Sequence, residues 1–231
     1  MFGGITMNGL LLQVVFLIIS YILGSIPWAL IVGKLVKGID IREHGSKNMG
    51  ATNAFRVLGF KYGLLVFGLD AVKGGIILWI MKHNFFNFDY ESFSFVIHPL
   101  AYGAFAFLGH LFPIFTKFKG GKGMSTASGI VLFYNPYIFI VGFVTFFIIV
   151  LLTRFVSLAS CLTVVSTLIA EIISPYKDIY LIVILAIISV FLVLKHIPNF
   201  KRIIKHTESK INFKVFSDPT EPAFIIEENK K

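Results

Sequence analysis

Cysteine, charge and acidic side chains are all scarce in this chain. Cys161 is the only cysteine, so no disulfide can form within the chain and no cysteine-built metal site is available. It lies inside an apolar run, where a structural thiol is the expected role. Charged residues make up only 14% of the 231 positions, while 56% are hydrophobic and the mean hydropathy is +0.84. That is too little polar surface to cover a soluble globule, so the chain is expected to be an integral membrane protein. Acidic residues number 12 against 21 Lys and Arg, and Asp70 has no partner carboxylate at helical spacing. A metal held by paired aspartates is therefore not expected. No lysine or arginine precedes Lys34, which removes the basic start of a secretory signal and leaves the first apolar stretch as an expected retained span. No internal repeat stands out, and GGKG is not a Walker loop, because Lys122 is followed by Gly123.

What the chain has is long apolar runs separated by basic loops. The net charge of +9 would point to nucleic acid in a soluble protein. Here the basic residues sit in short loops between spans, where they serve topology and anionic headgroups, so nucleic acid is not an expected partner. Runs near 10–33, 62–81, 97–112, 128–153, 156–173 and 178–194 are the candidate helices, since about 20 residues cross a bilayer core of about 30 Å. With 128–153 crossing once, the basic tail falls on the opposite side from the other basic loops. Breaking that run at Asn135 and Pro136 restores one-sidedness, because proline disfavours helix at the residue before it and cannot donate to the helical ladder. The expectation is an all-α protein of seven transmembrane segments, one of them a short helix over about 124–134, with the amino terminus out and the carboxyl terminus in. All Lys and Arg except Lys73, Lys82 and Lys177 then lie inside. Residues 1–211 are expected to form a single transmembrane domain, and 212–231 a polar, loosely ordered cytoplasmic tail.

Three polar patches gather on that inner side. In GHLFPIFTKFKGGKG, Gly109 to Gly123, three lysines and four glycines interrupt the apolar runs. Lipid penalises lone charges, so Lys117, Lys119 and Lys122 belong at an interface or in a polar cleft. Glycines beside two of them allow backbone N–H groups to face an anion. The lysines also fit plain markers of the inner side, and His110 and Pro113 fit a helix end. In GSKNMGATN, Gly45 to Asn53, small and polar residues suit a phosphate nest opening into a helix. They suit ordinary capping by Ser46 or Asn48 equally well. Arg56, about one turn on, adds a planar fork for phosphate oxygens. In KHIPNFKRIIKHTE, Lys195 to Glu208, His196 and Asn199 share a helical face if the helix persists, whereas Pro198 favours a break or a fresh start. Within the apolar runs, Asp70 and Lys73 can pair on one helical face and orient the helix. Ser157 suits an N-cap after Arg154, with Ser160 nearby, Pro27 suits a kink, and Glu171 sits where it can reach water.

Taken in order, GSIP, SKNMGATN, DAVKG, GHLFPIFTKFKGGKG, RFVSLAS and KHIPNFKRIIKHTE resemble the bacterial acyl-phosphate:glycerol-3-phosphate acyltransferases of the PlsY type. The resemblance covers nearly all of the chain up to about Ser209. It implies a seven-helix enzyme of the bacterial inner membrane with its active site towards the cytoplasm. The expected reaction moves a fatty acyl group from acyl-phosphate to glycerol-3-phosphate, giving lysophosphatidic acid as the first step of phospholipid synthesis. Position by position, Ser46, Asn53, Arg56, Lys119 and Lys122 match residues expected to hold phosphate, and Ser157 one near the acyl donor. His196, Asn199 and Glu208 match the third motif. Arg56, Lys119, His196 and Asn199 are the expected catalytic residues. Asn48, Gly50, Thr52, Gly120 and Gly121 join the expected substrate-binding set with Ser46, Asn53, Lys122, Ser157 and Glu208. Lys195 stands where the family usually has arginine, and His206 where a glycine usually precedes Thr-Glu. The His-x4-Asp pair of other glycerolipid acyltransferases is missing, since none of the six histidines has aspartate at that spacing.

An acyl-phosphate is already activated, so the enzyme has to position a hydroxyl and stabilise a departing phosphate. Cations then matter more than a nucleophile, and no metal or other cofactor is expected. The expected partners are the two substrates, the bilayer, and the soluble enzyme that makes the acyl-phosphate. A transporter of organophosphate anions also fits the basic, glycine-rich patches, but it needs polar groups near the midplane reachable from both faces. Apart from Asp70 and Lys73, the ionisable residues crowd to one side.

Overall fold

The computed structural model describes residues 9–85, 96–213 and 224–225. Nine α-helices follow one another among them: α1 (Gly9–Gly24), α2 (Trp28–Lys37), α3 (Ala51–Leu58), α4 (Phe60–Lys82), α5 (Pro99–Leu111), α6 (Met124–Tyr134), α7 (Pro136–Thr153), α8 (Val156–Ile173) and α9 (Ile179–Ile204). Two short strands, β1 (Lys210–Ile211) and β2 (Phe224–Ile225), pair antiparallel with Lys210 opposite Ile225 and Ile211 opposite Phe224. Five helical stretches are long and apolar enough to cross a membrane, and α1 with α2 makes a sixth if the two count as one bent span.

The breaks fall where local chemistry places them. The α1 helix stops at Gly24 and α2 starts after Pro27, and the two meet at an angle of 40°. At the Asn135–Pro136 break, the Asn135 side chain accepts a hydrogen bond from the Ile138 N–H at 3.3 Å, and Pro136 opens α7 where a missing N–H costs nothing. Asp178 caps α9 by accepting from the N–H groups of Tyr180 and Leu181. Pro198 does not break α9, contrary to one expectation, and the helix runs on to Ile204.

The most extensive helix pairings are α4 with α6 and α1 with α5, and both depend on glycine. A Cβ on Gly129 would stand 1.8 Å from the Ala71 carbonyl oxygen, and one on Gly109 would stand 2.2 Å from that of Tyr21. Small residues at such crossings let backbones approach closely enough for dispersion to hold helices together in lipid. Leu78, Tyr102, Ile130, Leu181, Leu185 and Leu192 fill the core. Only 17% of α7 is buried, and Phe143, Phe147 and Leu151 face outward, as suits the lipid-facing rim of the bundle.

Ionisable groups inside the bundle are tied together. Lys73 Nζ lies 2.7 Å from Asp70 Oδ1 and donates to the Ile26 carbonyl at 2.8 Å, fastening α4 to the break between α1 and α2. His110 joins them, its Nδ1 3.7 Å from Asp70 Oδ1, so it does more than end α5. Glu171 is fully buried and accepts from the Asp178 N–H at 2.7 Å. It holds the α8–α9 turn and does not reach water, contrary to the sequence expectation.

Because α6, α7, α8 and α9 run back and forth, the start of α6, the end of α7, the start of α8 and the end of α9 gather at one end of the bundle. The start of α3 joins them, and this end holds the candidate site.

Candidate active site

A cavity with about 630 Å³ of empty space, open solvent at its mouth included, lies at that end. Four separate stretches converge on it. The loop before α3 and its first turns supply Ser46, Asn48, Gly50, Thr52, Asn53 and Arg56, and the loop before α6 supplies Lys122. The start of α8 supplies Ser157, and the end of α9 with the turn beyond it supplies His196, Asn199 and Glu208. Eleven of the fourteen residues singled out in the sequence thus line one cavity.

Lys119, Gly120 and Gly121 do not. Lys119 is exposed and outside the cavity lining. Gly120 and Gly121 line a smaller adjoining cavity with Lys73 and His110. Their glycines answer a packing demand rather than an anion, for a Cβ on Gly120 would meet the His110 carbonyl at 2.1 Å and one on Gly121 the His110 ring at 2.2 Å. The Gly121 N–H itself donates to the His110 carbonyl at 3.2 Å. The chain passes Lys117 and Phe118 in left-handed conformation, and Gly123 has φ of +90°. This irregular turn brings Lys122 inward while Lys119 faces out.

Inside the cavity, Glu208 is the hub. One of its oxygens, Oε1, accepts from Ser157 Oγ at 3.1 Å and Asn199 Nδ2 at 2.7 Å, and the other accepts from Arg202 Nε at 2.7 Å. Asn199 passes the connection on by accepting from Lys122 Nζ. Ser157 is therefore committed to Glu208 and is not the N-cap of α8, a position held by Phe155. The turn that brings Glu208 back passes through His206 at φ 56°, a conformation glycine adopts freely and a histidine adopts at a cost of about 1–2 kcal/mol. The N–H groups of Thr207 and Glu208 both donate to the Arg202 carbonyl and close the turn.

Asn53 also serves the scaffold. Its Oδ1 accepts from the Ser46 N–H at 2.8 Å, and its Nδ2 donates to the carbonyls of Ile41 and His44, each at 3.1 Å. It staples the loop before α3, and neither Ser46 nor Asn48 caps that helix, whose N-cap is Gly50 without a side-chain bond. The first N–H groups of α3 are thereby left towards the cavity, where Gly50, Ala51 and Thr52 form part of the wall.

Arg56 donates through Nη2 to Ser209 Oγ at 2.5 Å, and its Nε is buried without a hydrogen-bond partner among the described residues. Burial holds the Arg56 pKa below its usual value. Burial also brings Lys122 down to about 8, with Glu208 opposing the shift. His196 is buried, and its Nδ1 lies 2.8 Å from the Leu192 carbonyl. A carbonyl can only accept, so Nδ1 carries the hydrogen and Nε2 is the lone-pair nitrogen of the neutral ring. Sequence reasoning passed over Ser125, Ser209 and Phe224, all in the cavity wall. Among the described residues, no group of three or more His, Cys, Asp or Glu is placed to hold a metal ion.

Comparison with known proteins places this arrangement. The glycerol-3-phosphate acyltransferase family model matches residues 14–206. The glycerol-3-phosphate acyltransferase of Bacillus subtilis (strain 168) is 47% identical over 200 residues, covering 85% of this chain and 96% of that protein. Glycerol-3-phosphate acyltransferase 3 of Bacillus anthracis is 44% identical over 196 residues, with 85% and 93% covered. The crystal structure of PlsY (YgiH), an integral membrane glycerol 3-phosphate acyltransferase, in its glycerol 3-phosphate form superposes with a TM-score of 0.78 at 33% identity, covering 90% of this chain and 98% of that one. Its lysophosphatidic acid form gives 0.74 at 34% identity, with 86% and 95% covered. The chain belongs to the glycerol-3-phosphate acyltransferase family of the PlsY type.

Proposed function

We propose that this protein transfers a fatty acyl group from acyl-phosphate to the hydroxyl of glycerol-3-phosphate, releasing lysophosphatidic acid and phosphate. The observation that carries this reading is the meeting of Arg56, Lys122, His196 and Asn199 in one cavity. Two cations there match the phosphate of the acceptor and the phosphate that departs from the donor. His196, with Nδ1–H fixed by Leu192, presents Nε2 to take the hydroxyl proton as the oxygen attacks the acyl carbon and the acyl–phosphate bond breaks. Asn199, held between Lys122 and Glu208, orients the acceptor. Lys119, exposed on the same loop, draws anionic substrates towards the mouth rather than clamping them. In this reading Glu208 and Asn53 act by positioning, while Ser46, Asn48, Thr52 and the α3 backbone take up the remaining phosphate oxygens. Purified protein given labelled glycerol-3-phosphate forms lysophosphatidic acid with acyl-phosphate and not with acyl-CoA or acyl carrier protein. Turnover with either alternative donor and none with acyl-phosphate would overturn the donor assignment. A transporter gains no support, because the charged groups collect at one end of the bundle and the relatives are acyltransferases.

We infer further that the bent pair α1–α2, the five long spans and the short α6 make seven membrane segments in a bacterial inner membrane. The cavity then faces the cytoplasm, where a soluble enzyme can supply the acyl-phosphate. What supports this is the end-to-end arrangement, with Asn135 and Lys177 at the end away from the cavity. Residues 1–211 form the transmembrane unit in this reading, followed by a cytoplasmic tail. In intact cells, Asn135→Cys in a Cys161→Ala background reacts with a membrane-impermeant maleimide from outside. Reaction only after permeabilisation would reverse the topology.

A further inference from the structure

The matched family region ends at residue 206, yet Phe224, beyond it, forms part of the cavity wall. Strand β2 brings it there by pairing with β1 directly after the Glu208 turn. The Arg56 guanidinium carbon lies over the Phe224 ring, 4.8 Å from its centroid. β1 is itself anchored, since the Ile211 N–H donates to the Arg154 carbonyl at 2.9 Å and Arg154 Nε donates to the Ile211 carbonyl at 2.9 Å. Residues 214–223, between the strands, lie outside the described residues.

A guanidinium can stack through its face and hydrogen-bond through its edge at the same time. The Phe224 ring packs against the Arg56 guanidinium, and Ser209 takes one edge donor at 2.5 Å. Together they hold the group in place and leave Nε, buried and without a partner among the described residues, as a donor for a phosphate oxygen. A ring in this place also keeps water from Arg56, which strengthens its attraction for an anion. We propose that Phe224 is a positioning residue of the active site, supplied by the C-terminal segment, which sets the orientation in which Arg56 meets the glycerol-3-phosphate phosphate. The proposal rests on Arg56 as a phosphate ligand.

The test uses the full-length protein and two independent readouts. The first is the rate at which phenylglyoxal modifies Arg56, followed by mass spectrometry without substrate. The second is the split between KM for glycerol-3-phosphate and kcat. Phe224→Ala speeds modification of Arg56 several-fold and raises KM roughly 3- to 20-fold with little change in kcat, as expected for loss of one desolvated cation–π contact. Phe224→Trp keeps both values near those of the parent. Phe224→Leu, which keeps strand and bulk but not the ring, gives an intermediate KM and guards against unfolding of the alanine variant. Unchanged labelling in Phe224→Ala, or a parental KM in Phe224→Leu, would overturn the proposal. A parental KM in Arg56→Ala would instead remove the phosphate reading beneath it, while the labelling result would still report whether the ring covers Arg56.

Discussion

Replacing Arg56 with alanine lowers acyl transfer by about 100-fold or more, and replacing it with lysine restores little. The first figure follows from leaving the acceptor phosphate without a buried, charge-assisted donor, a loss of about 2–5 kcal/mol for a desolvated charge pair. The second follows from geometry, because Nη2 is spent on Ser209 while Nε, without a partner among the described residues, is left for the substrate. An ammonium cannot serve both directions from one plane. Lys122→Ala has an effect of similar size, and its charge adds a pH signature. With its pKa brought down to about 8 by burial, Lys122 loses its proton as pH rises through that value. Turnover therefore falls on the alkaline side, approaching about tenfold per pH unit if the cation is essential. Lys122→Arg, charged throughout, flattens this limb. Steady-state kinetics in membranes supplied with acyl-phosphate measure all of these variants, and parental turnover in both alanine variants would refute the clamp.

Glu208→Ala is expected to remove activity as completely and to lower stability as well. The carboxylate accepts from Ser157, Asn199 and Arg202 and is 8% exposed, so its removal leaves three donors without their acceptor. Unpairing a fully buried ion pair costs about 3–5 kcal/mol. Because the Arg202 side chain is 41% exposed and water can take over part of its hydrogen bonding, about 1–2 kcal/mol is the expected loss here. Asn199 also loses its anchor, and Lys122 loses with it the position it holds through the Asn199 amide. Glu208→Gln keeps an acceptor for Ser157 or Asn199 without the charge and falls between the two. Thermal unfolding together with turnover decides the matter, and Glu208→Ala with parental activity and midpoint would remove it from the site.

The distance between sequence and structure was short wherever one residue type permits one backbone shape. Pro136 after Asn135 could end one helix and start another in only one way, and the break falls there. Pro27 separates α1 from α2 for the same reason. Arg56, His196 and Asn199 were legible because helical spacing or motif likeness placed them. The lysine loop was not legible in this way. Lys117 and Phe118 adopt left-handed conformations that no spacing rule anticipates, and the resulting twist turns Lys119 out of the cavity while Lys122, expected there with it, faces in. The neighbouring glycines looked like an anion nest, whereas they pack against His110 at the end of α5, a contact made only by the turn between them. Pro198 carried a plausible break that packing overrode, since His196 and Asn199 are buried on the same stretch of α9. Phe224 lay in a polar tail without periodicity, and only pairing of β2 with Lys210 and Ile211 brings it home. His206 marks the reverse case, where the odd residue in a motif identified a strained backbone position.

The eleven residues of α6 rise about 16 Å, roughly half the thickness of a bilayer's hydrocarbon core. With Lys122 at one end of this helix and Tyr134 at the other, either the cationic turn or the opposite cap must sit well below the level of the lipid headgroups. With α6 as one of the seven proposed membrane segments, the bilayer has to thin around this edge, or water has to follow the protein inward. A product carrying one fatty chain and a phosphate can then slide sideways from its birthplace into the leaflet, with its head never leaving water and its tail never entering it.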